Sequence, residues 1–295
     1  MKKNGFAVAV ALGALGGSAS AAVVLSNSGA PGDNFTHVGA NNVGQAIGAS
    51  KWYYNNVRNS GVVGVNTNLP RSGNGSLWFD VNVGPGGNSS KADAEFYNTA
   101  VAMNGNYLAT SILGGLSQLT ALSFDWYRSS GSAPEDQASD WLHPVVRLQV
   151  VNQAQTQFGY LVFEREANRD VFGPHPTPVS SPRDSWQTDD VFGGNYRLWS
   201  TGSSLPFNLN GTNGPAKYYD ALTLADWQTQ FGDLLVTGVS VGVGSGWGAF
   251  HGAVDNVSFG FAGAPITTYN FEVVPAPGAL ALMGLAGLAG ARRRR

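Results

Sequence analysis

Few residues in this chain have chemistry to offer. Glu164 and Glu166 stand two apart in Phe163-Glu-Arg-Glu166, so a strand would turn both to one side. Such a pair can do acid–base work when one carboxyl holds its proton and the other does not. Flanked by Arg165 and Arg169, they read first as a solvated, charge-balanced face. The four histidines (His37, His143, His175 and His251) lack metal-ligand spacing. No Gly-x-Ser-x-Gly, phosphate loop or dinucleotide fingerprint occurs, and the Gly-x-Gly pairs are turn chemistry in a chain with 40 glycines. Cysteine is absent, which excludes disulfides and thiolate metal sites.

Aromatic rings offer a second kind of site. Trp52-Tyr53-Tyr54, Trp141, Trp186, Trp199 and Trp247 fall in or beside predicted loops. An exposed ring can stack on a pyranose face while Asn, Asp or Arg bonds the hydroxyls; the plainer role is closing the ends of the core. Trp186, with Arg183 and Asp184, sits in the Pro-rich stretch Phe172–Asp190 and is the best candidate for glycan contact.

The elements that must position these residues are strands. Ser76–Val83, Ala121–Arg128, Val145–Asn152, Phe158–Glu166, Tyr196–Ser200, Leu235–Val243 and Val254–Ala262 are predicted, and Ile266–Val273 still alternates. Leu77, Phe79, Val81 and Val83 oppose Trp78, Asp80 and Asn82; Leu122, Phe124 and Trp126 oppose Ser123, Asp125 and Tyr127. Gly/Asn/Ser clusters such as Arg71–Gly75 separate the strands as turns. One helix is expected, with Thr223 as N-cap, Asp226 three residues on, Trp227 and Phe231 four apart, and Gly232 as the stop. The sum is an all-β chain: a two-sheet antiparallel β-sandwich over 22–262, with 263–273 a last strand or linker.

Val254-Asp-Asn-Val257 resembles the last strand of jelly-roll carbohydrate-binding and concanavalin-like lectin modules, and Asp33-Asn34 lies near the start of the domain. First and last strands are neighbours in such modules. The resemblance therefore implies that Asp33, Asp255 and Asn256 share a hard, oxygen-ligated cation, calcium. The alternative is that Asp255 hydrogen-bonds backbone amides. The Glu-x-Asp-x-x-Glu motif of concanavalin-like glucanases is absent.

Both ends read as targeting segments. Lys2 and Lys3, the apolar run Phe6–Leu15 and the small residues Ala19, Ala21 and Ala22 have the anatomy of a signal peptide over 1–21. At 274–295, Val274-Pro275-Ala276-Pro277 precedes an apolar run of 14 residues and then Arg292, Arg293, Arg294 and Arg295. The run is shorter than the ~20 residues of a comfortable membrane helix, and the arginines would stay on the cytoplasmic side. Pro motif, apolar helix and Arg cluster resemble the PEP-CTERM sorting signal of Gram-negative bacteria, with alanine in place of the usual central glutamate. That resemblance implies an exosortase-type processing protease as partner, transient inner-membrane anchoring, and delivery to the cell surface or extracellular matrix. Of 17 basic residues, two lie in the first segment and four in the last; the middle keeps 11 against 19 acids, a charge of about −8. So acidic a chain is a poor partner for nucleic acid. The expectation is a non-enzymatic structural, adhesive or carbohydrate-binding role in exopolysaccharide or biofilm. The runner-up is a secreted glycan-active hydrolase whose carboxylates meet only in three dimensions. The fold should thus be a jelly-roll-like sandwich flanked by an N-terminal signal helix and a C-terminal hydrophobic helix.

Overall fold

A computed structural model describes residues 20–82, 90–105, 107–109, 111–132, 142–172, 181–201, 221–245 and 248–275. Both expected terminal helices lie outside these residues, as do Ala19, Trp141, His175, Trp247, Ala276, Pro277 and Arg292 to Arg295. In chain order the strands begin with β1 (Ser20–Gly29), β2 (Phe35–His37), β3 (Val43–Ala46), β4 (Trp52–Arg58), β5 (Gly61–Asn66) and β6 (Ser76–Val81). Next come β7 (Lys91–Tyr97), β8 (Gly114–Gly115), β9 (Leu119–Arg128), β10 (Val145–Val151), β11 (Phe158–Phe163) and β12 (Gln187–Asp190). The last are β13 (Arg197–Thr201), β14 (Leu222–Thr223), β15 (Leu235–Val243), β16 (Phe250–Phe261) and β17 (Thr267–Val274). Two α-helices are described, α1 (Arg169–Phe172) and α2 (Leu224–Gln230).

The strands form two sheets. One runs β1-β17-β16-β6-β5-β2, with β9 pairing β16 and β12 pairing β9. The other runs β14-β13-β11-β10-β15-β7-β4-β3, with β8 beside β15. β1 lies parallel to β17, while the pairs that build the second sheet are antiparallel. The sheets face each other over one core. Trp52 on β4 meets Phe271 on β17 edge-on, ring centres 5.1 Å apart, and Phe96 on β7 meets Phe259 on β16 at 5.0 Å. Interdigitation of two apolar faces is how a sandwich removes both from water.

Alternation predicts most of the burial. Leu77, Phe79 and Val81 are buried and Trp78 and Asp80 less so; Leu122, Phe124 and Trp126 are buried opposite the partly exposed Ser123 and Tyr127. The Leu235–Val243 strand falls where the pattern puts it. α2 carries the expected cap: the Thr223 hydroxyl accepts from the Asp226 amide at 3.2 Å, and the Asp226 carboxylate accepts from the Thr223 amide at 3.3 Å. Trp227 is fully buried beneath it and donates its indole N–H to the Leu198 carbonyl.

Three expectations are corrected. Trp52, Tyr53 and Tyr54 lie in β4 and are buried, not in a loop; their run lacks alternation because β4 is buried on both faces. Gln187–Asp190, at the end of the expected loop, is β12 and pairs with Ser123–Trp126 of β9. Glu164 and Glu166 do not form a wet face. The strand stops at Phe163, a 3-10 turn follows at Arg165–Asn168, and both carboxyls are buried. Arg169 pairs with Glu166, while Arg165 reaches Asp189 at 2.6 Å.

Candidate functional site

The second sheet turns its other face away from the core, and that face is unusually polar. Leu161 and Phe163 point inward from β11, which leaves Phe158, Tyr160 and Val162 outward. The same alternation puts Lys91, Asp93, Glu95 and Tyr97 of β7 outward, together with Arg147 and Gln149 of β10. Register sets them in rows across the strands. Arg147 stands opposite Val162 on one side and Ser240 on the other, Ser240 opposite Glu95, and Gly242 opposite Asp93. A Cβ at Gly242 would fall inside van der Waals contact with the Asp93 carboxylate, so glycine there makes room for that side chain.

A cleft of about 400 Å³ opens on this face, within the ~300–1,000 Å³ typical of ligand sites. Its lining comes from β4 (Asn56, Arg58), β7 (Lys91, Asp93), β10 (Arg147), β11 (Tyr160, Val162) and β13 (Trp199, Thr201), with Glu164 just past β11. Tyr107, from a 3-10 turn, packs against Phe158 and Tyr160 at 5.6 and 5.8 Å between ring centres, making an aromatic wall. β4 reaches the cleft through a break in its register between Asn55 and Arg58, where Asn56 takes a φ of 53°.

The floor is a charge network. Asp93 accepts from Arg147 at 2.8 Å and from the Asn56 amide at 2.7 Å, and pairs with Lys91 at 2.9 Å. Burial alone would raise the Asp93 carboxyl, but Arg147 and Lys91 hold it below the usual carboxylate range. Lys91 is pushed down to about 8, by burial first and then by Arg147, with Asp93 opposing. The Arg58 guanidinium donates to the amide oxygens of Asn42 (2.8 Å) and Asn56 (2.5 Å). Glu164 is 8% exposed, and its carboxyl makes no hydrogen bond or ion pair with any described residue. Burial raises it to about 8, with Arg147 and Lys91 pulling part of the way back. The cleft thus holds one ionised carboxyl and one that keeps its proton at neutral pH.

The sequence-based candidates lie elsewhere. Trp186 is half-buried between the Arg71 guanidinium (5.6 Å) and the Tyr127 ring (5.7 Å). Asp184 accepts from the Ser130 amide (2.9 Å) and the Tyr127 hydroxyl (3.2 Å). Trp186, Asp184 and the partly exposed Arg183 precede β12 on the first sheet, and none of them lines the cleft. Of the other aromatics, Trp199 does line it.

For the calcium set, Asp33 accepts from the Asn27 and Ser28 amides and from the Tyr54 hydroxyl at 2.6–2.9 Å. Asp255 accepts from the Asn256 and Phe271 amides at 2.8 and 2.9 Å, and Asn256 donates to Ser72 and Asp125. No hydrogen bond joins Asp33 to the other two. Burial raises Asp255 to about 7. No cluster of three or more His, Asp or Glu placed to hold a metal ion occurs among the described residues. At the chain ends, Ala21 and Ala22 lie in β1 opposite Thr268 and Tyr269, Val274 closes β17 opposite Gly29, and Pro275 is exposed.

The signal for the cleft was present but faint. Lys91-x-Asp93-x-Glu95-x-Tyr97 puts charge and hydroxyl at every second position, with alanine or phenylalanine between.

No protein-family model matches the chain, and no curated protein does either. Among solved structures, it is similar to a family 11 carbohydrate-binding module from Clostridium thermocellum in complex with a beta-1,3-1,4-mixed-linked tetrasaccharide. The identity is 12%, the match covers 76% of this chain and 97% of that one, and the TM-score is 0.35. A likeness this weak does not identify a ligand, so what the cleft holds rests on its own residues.

Proposed function

We propose that this protein is exported and binds a saccharide non-enzymatically in the cleft of the second sheet, at the cell surface or in an exopolysaccharide matrix. The observation that carries this reading is the pairing of an aromatic wall (Tyr107, Phe158, Tyr160) and Trp199 with the hydrogen-bonding groups of Asn56, Arg58 and Thr201 in one cleft. Sugars ask for that combination: rings for their C–H faces, and donors and acceptors for their hydroxyls. The phenols of Tyr107 and Tyr160 are raised by burial, so they stay protonated.

Export and sorting complete the reading, and they rest on the two terminal segments. The chain would be drawn through the inner membrane, held by its apolar tail with Arg292 to Arg295 inside, and cut near Val274-Pro275-Ala276-Pro277 by an exosortase-type protease.

A glycoside hydrolase is the second reading. Its support is that Glu164 keeps a proton at neutral pH in the cleft where Asp93 is ionised, the division of labour such an enzyme needs. Against it, Asp93 is already engaged by Lys91, Arg147 and Asn56. One experiment separates the two. The secreted protein is titrated against a panel of oligosaccharides while the same mixtures are followed for new reducing ends. Binding without cleavage, weakened about tenfold or more by Trp199→Ala and untouched by Trp186→Ala, is expected. Cleavage lost in Glu164→Gln would replace binding with hydrolysis, and no binding of any saccharide would end both.

A further inference from the structure

Granting that the cleft holds a saccharide, its charges say which kind. We propose that it is selective for an acidic saccharide, a uronate whose ring carboxylate is received by Arg58 with Lys91 and Arg147 behind it. Three cations and two carboxyls line the cleft. Lys91 and Arg147 share Asp93, whereas among the described residues Arg58 is held only by the neutral amides of Asn42 and Asn56. Glu164 makes no ion pair with any described residue, and its raised pKa leaves it uncharged at neutral pH. Three positive charges against one negative leave the site with an excess of two. This is a local inversion in a chain whose middle is acidic overall.

A neutral sugar would bury the Arg58 guanidinium further without answering its charge, a net cost. A carboxylate answers it with charge-assisted hydrogen bonds and can take both oxygens to the guanidinium fork. Glu164, 8% exposed and without a hydrogen-bond partner among the described residues, then acts as a neutral donor to a ring hydroxyl or to the carboxylate itself.

The proposal fixes a pH dependence. The groups facing the ligand are Arg58 from β4, Lys91 and Asp93 from β7 with Glu95 behind them, Arg147 from β10, Tyr160 from β11, Glu164 beyond it, and Tyr107 from its turn. Between pH 7 and 9 Glu164 gains a negative charge and Lys91 loses its positive one, since both sit near 8, and Glu95 behind them, raised to about 7 by burial and Asp93, completes its ionisation. The excess of two among the lining groups falls to zero, Glu95 adds to the negative side, and uronate affinity falls with it.

The test uses the secreted protein in calorimetric titration against a polygalacturonate oligosaccharide and a neutral β-glucan oligosaccharide of equal length. Expected are binding of the uronate at least about tenfold tighter at pH 7, weakening in 0.5 M salt on the order of tenfold, and weakening between pH 7 and 9. Arg58→Gln should remove the preference, and Glu164→Gln should make the fall in affinity between pH 7 and 9 shallower, leaving the part that Lys91 supplies. The salt series and the uronate-to-glucan ratio stand on the unmodified protein should Arg58→Gln fail to fold. Equal binding of both oligosaccharides, or tighter binding of the glucan, overturns the uronate assignment and leaves saccharide binding in place. Binding of neither overturns both.

Discussion

A carboxyl that keeps its proton in a folded protein leaves a thermodynamic trace. Glu164 has an ordinary value near 4.5 and rises to about 8 on folding. The folded chain therefore binds the extra proton across that window, and stability declines as pH climbs through it. Glu164→Gln keeps the shape and the neutral hydrogen-bonding character but cannot ionise. The variant should match the parent at pH 5 and become more stable at pH 9 by about 1–3 kcal/mol, the cost of an unanswered buried polar group. For a domain of this size each kcal/mol is roughly 2–4 K in melting temperature. Parallel melting curves at the two pH values that hold a constant offset would mean that Glu164 is ionised in the folded protein throughout. Here the limits of legibility also show. That Glu164 and Glu166 sit near one another follows from spacing, but their burial does not. Glu164 lies in a cleft that it shares with Arg147 and Asp93, 54 residues apart in the chain, and with Trp199 further on. Trp186 stands out in the sequence because a Pro-rich stretch suggests exposure, whereas in the fold it is half-buried, with Arg71 over its ring and Tyr127 tilted beside it.

Among the elements, local rules were read correctly where local chemistry decides. α2 starts at a reciprocal cap, with Thr223 and Asp226 each satisfying the other's amide, and ends as the Phe231 amide closes on the Trp227 carbonyl. Free helix-end amides cost stability when their acceptor is lost. Thr223→Ala should lower stability by about 1 kcal/mol. Trp227 adds to the interest of that test, because its indole bond to Leu198 ties the helix to β13, the strand carrying Trp199. A loss above about 3 kcal/mol by denaturant titration would mean that the helix and β13 come away together, since a cap alone is worth no more than ~2. Strands whose two faces differ, such as β6 and β9, were visible for the same local reason. β4 and β7 were not. β4 is buried on both faces and shows no alternation, while β7 does alternate but sets alanine at two of its three core-facing positions, too little apolar bulk to mark a strand by sequence alone.

At the scale of the whole molecule, the two ends of the sandwich hold each other. β1 pairs parallel to β17 from Ser20 opposite Thr267 to Gly29 opposite Val274, and β17 is itself held by β16. β17 contributes Phe271 and Val273, both buried, and sets Tyr269 against Phe96 and Phe259. Asp255 strengthens the join by accepting the Phe271 amide beside the break in the β16–β9 register. The Pro motif begins at the residue after this strand, so a cut beyond Val274 costs no strand pairing, whereas one a few residues upstream opens the core. A chain ended after Pro275 should therefore melt within about 2 K of one carrying the tail, the shift of less than ~1 kcal/mol. A chain ended after Ala264 loses β17, unpairs β1 and empties the places of Phe271 and Val273. Deleting one buried Phe already costs ~3–5 kcal/mol, a large part of a domain's stability of ~5–15. That shorter chain should show no cooperative transition by circular dichroism. Mass spectrometry of the secreted product should accordingly place its last residue at or beyond Val274, close to the Pro motif. A native product ending inside β17, or one that folds cooperatively without it, would separate the sorting tail from the fold it is proposed to release.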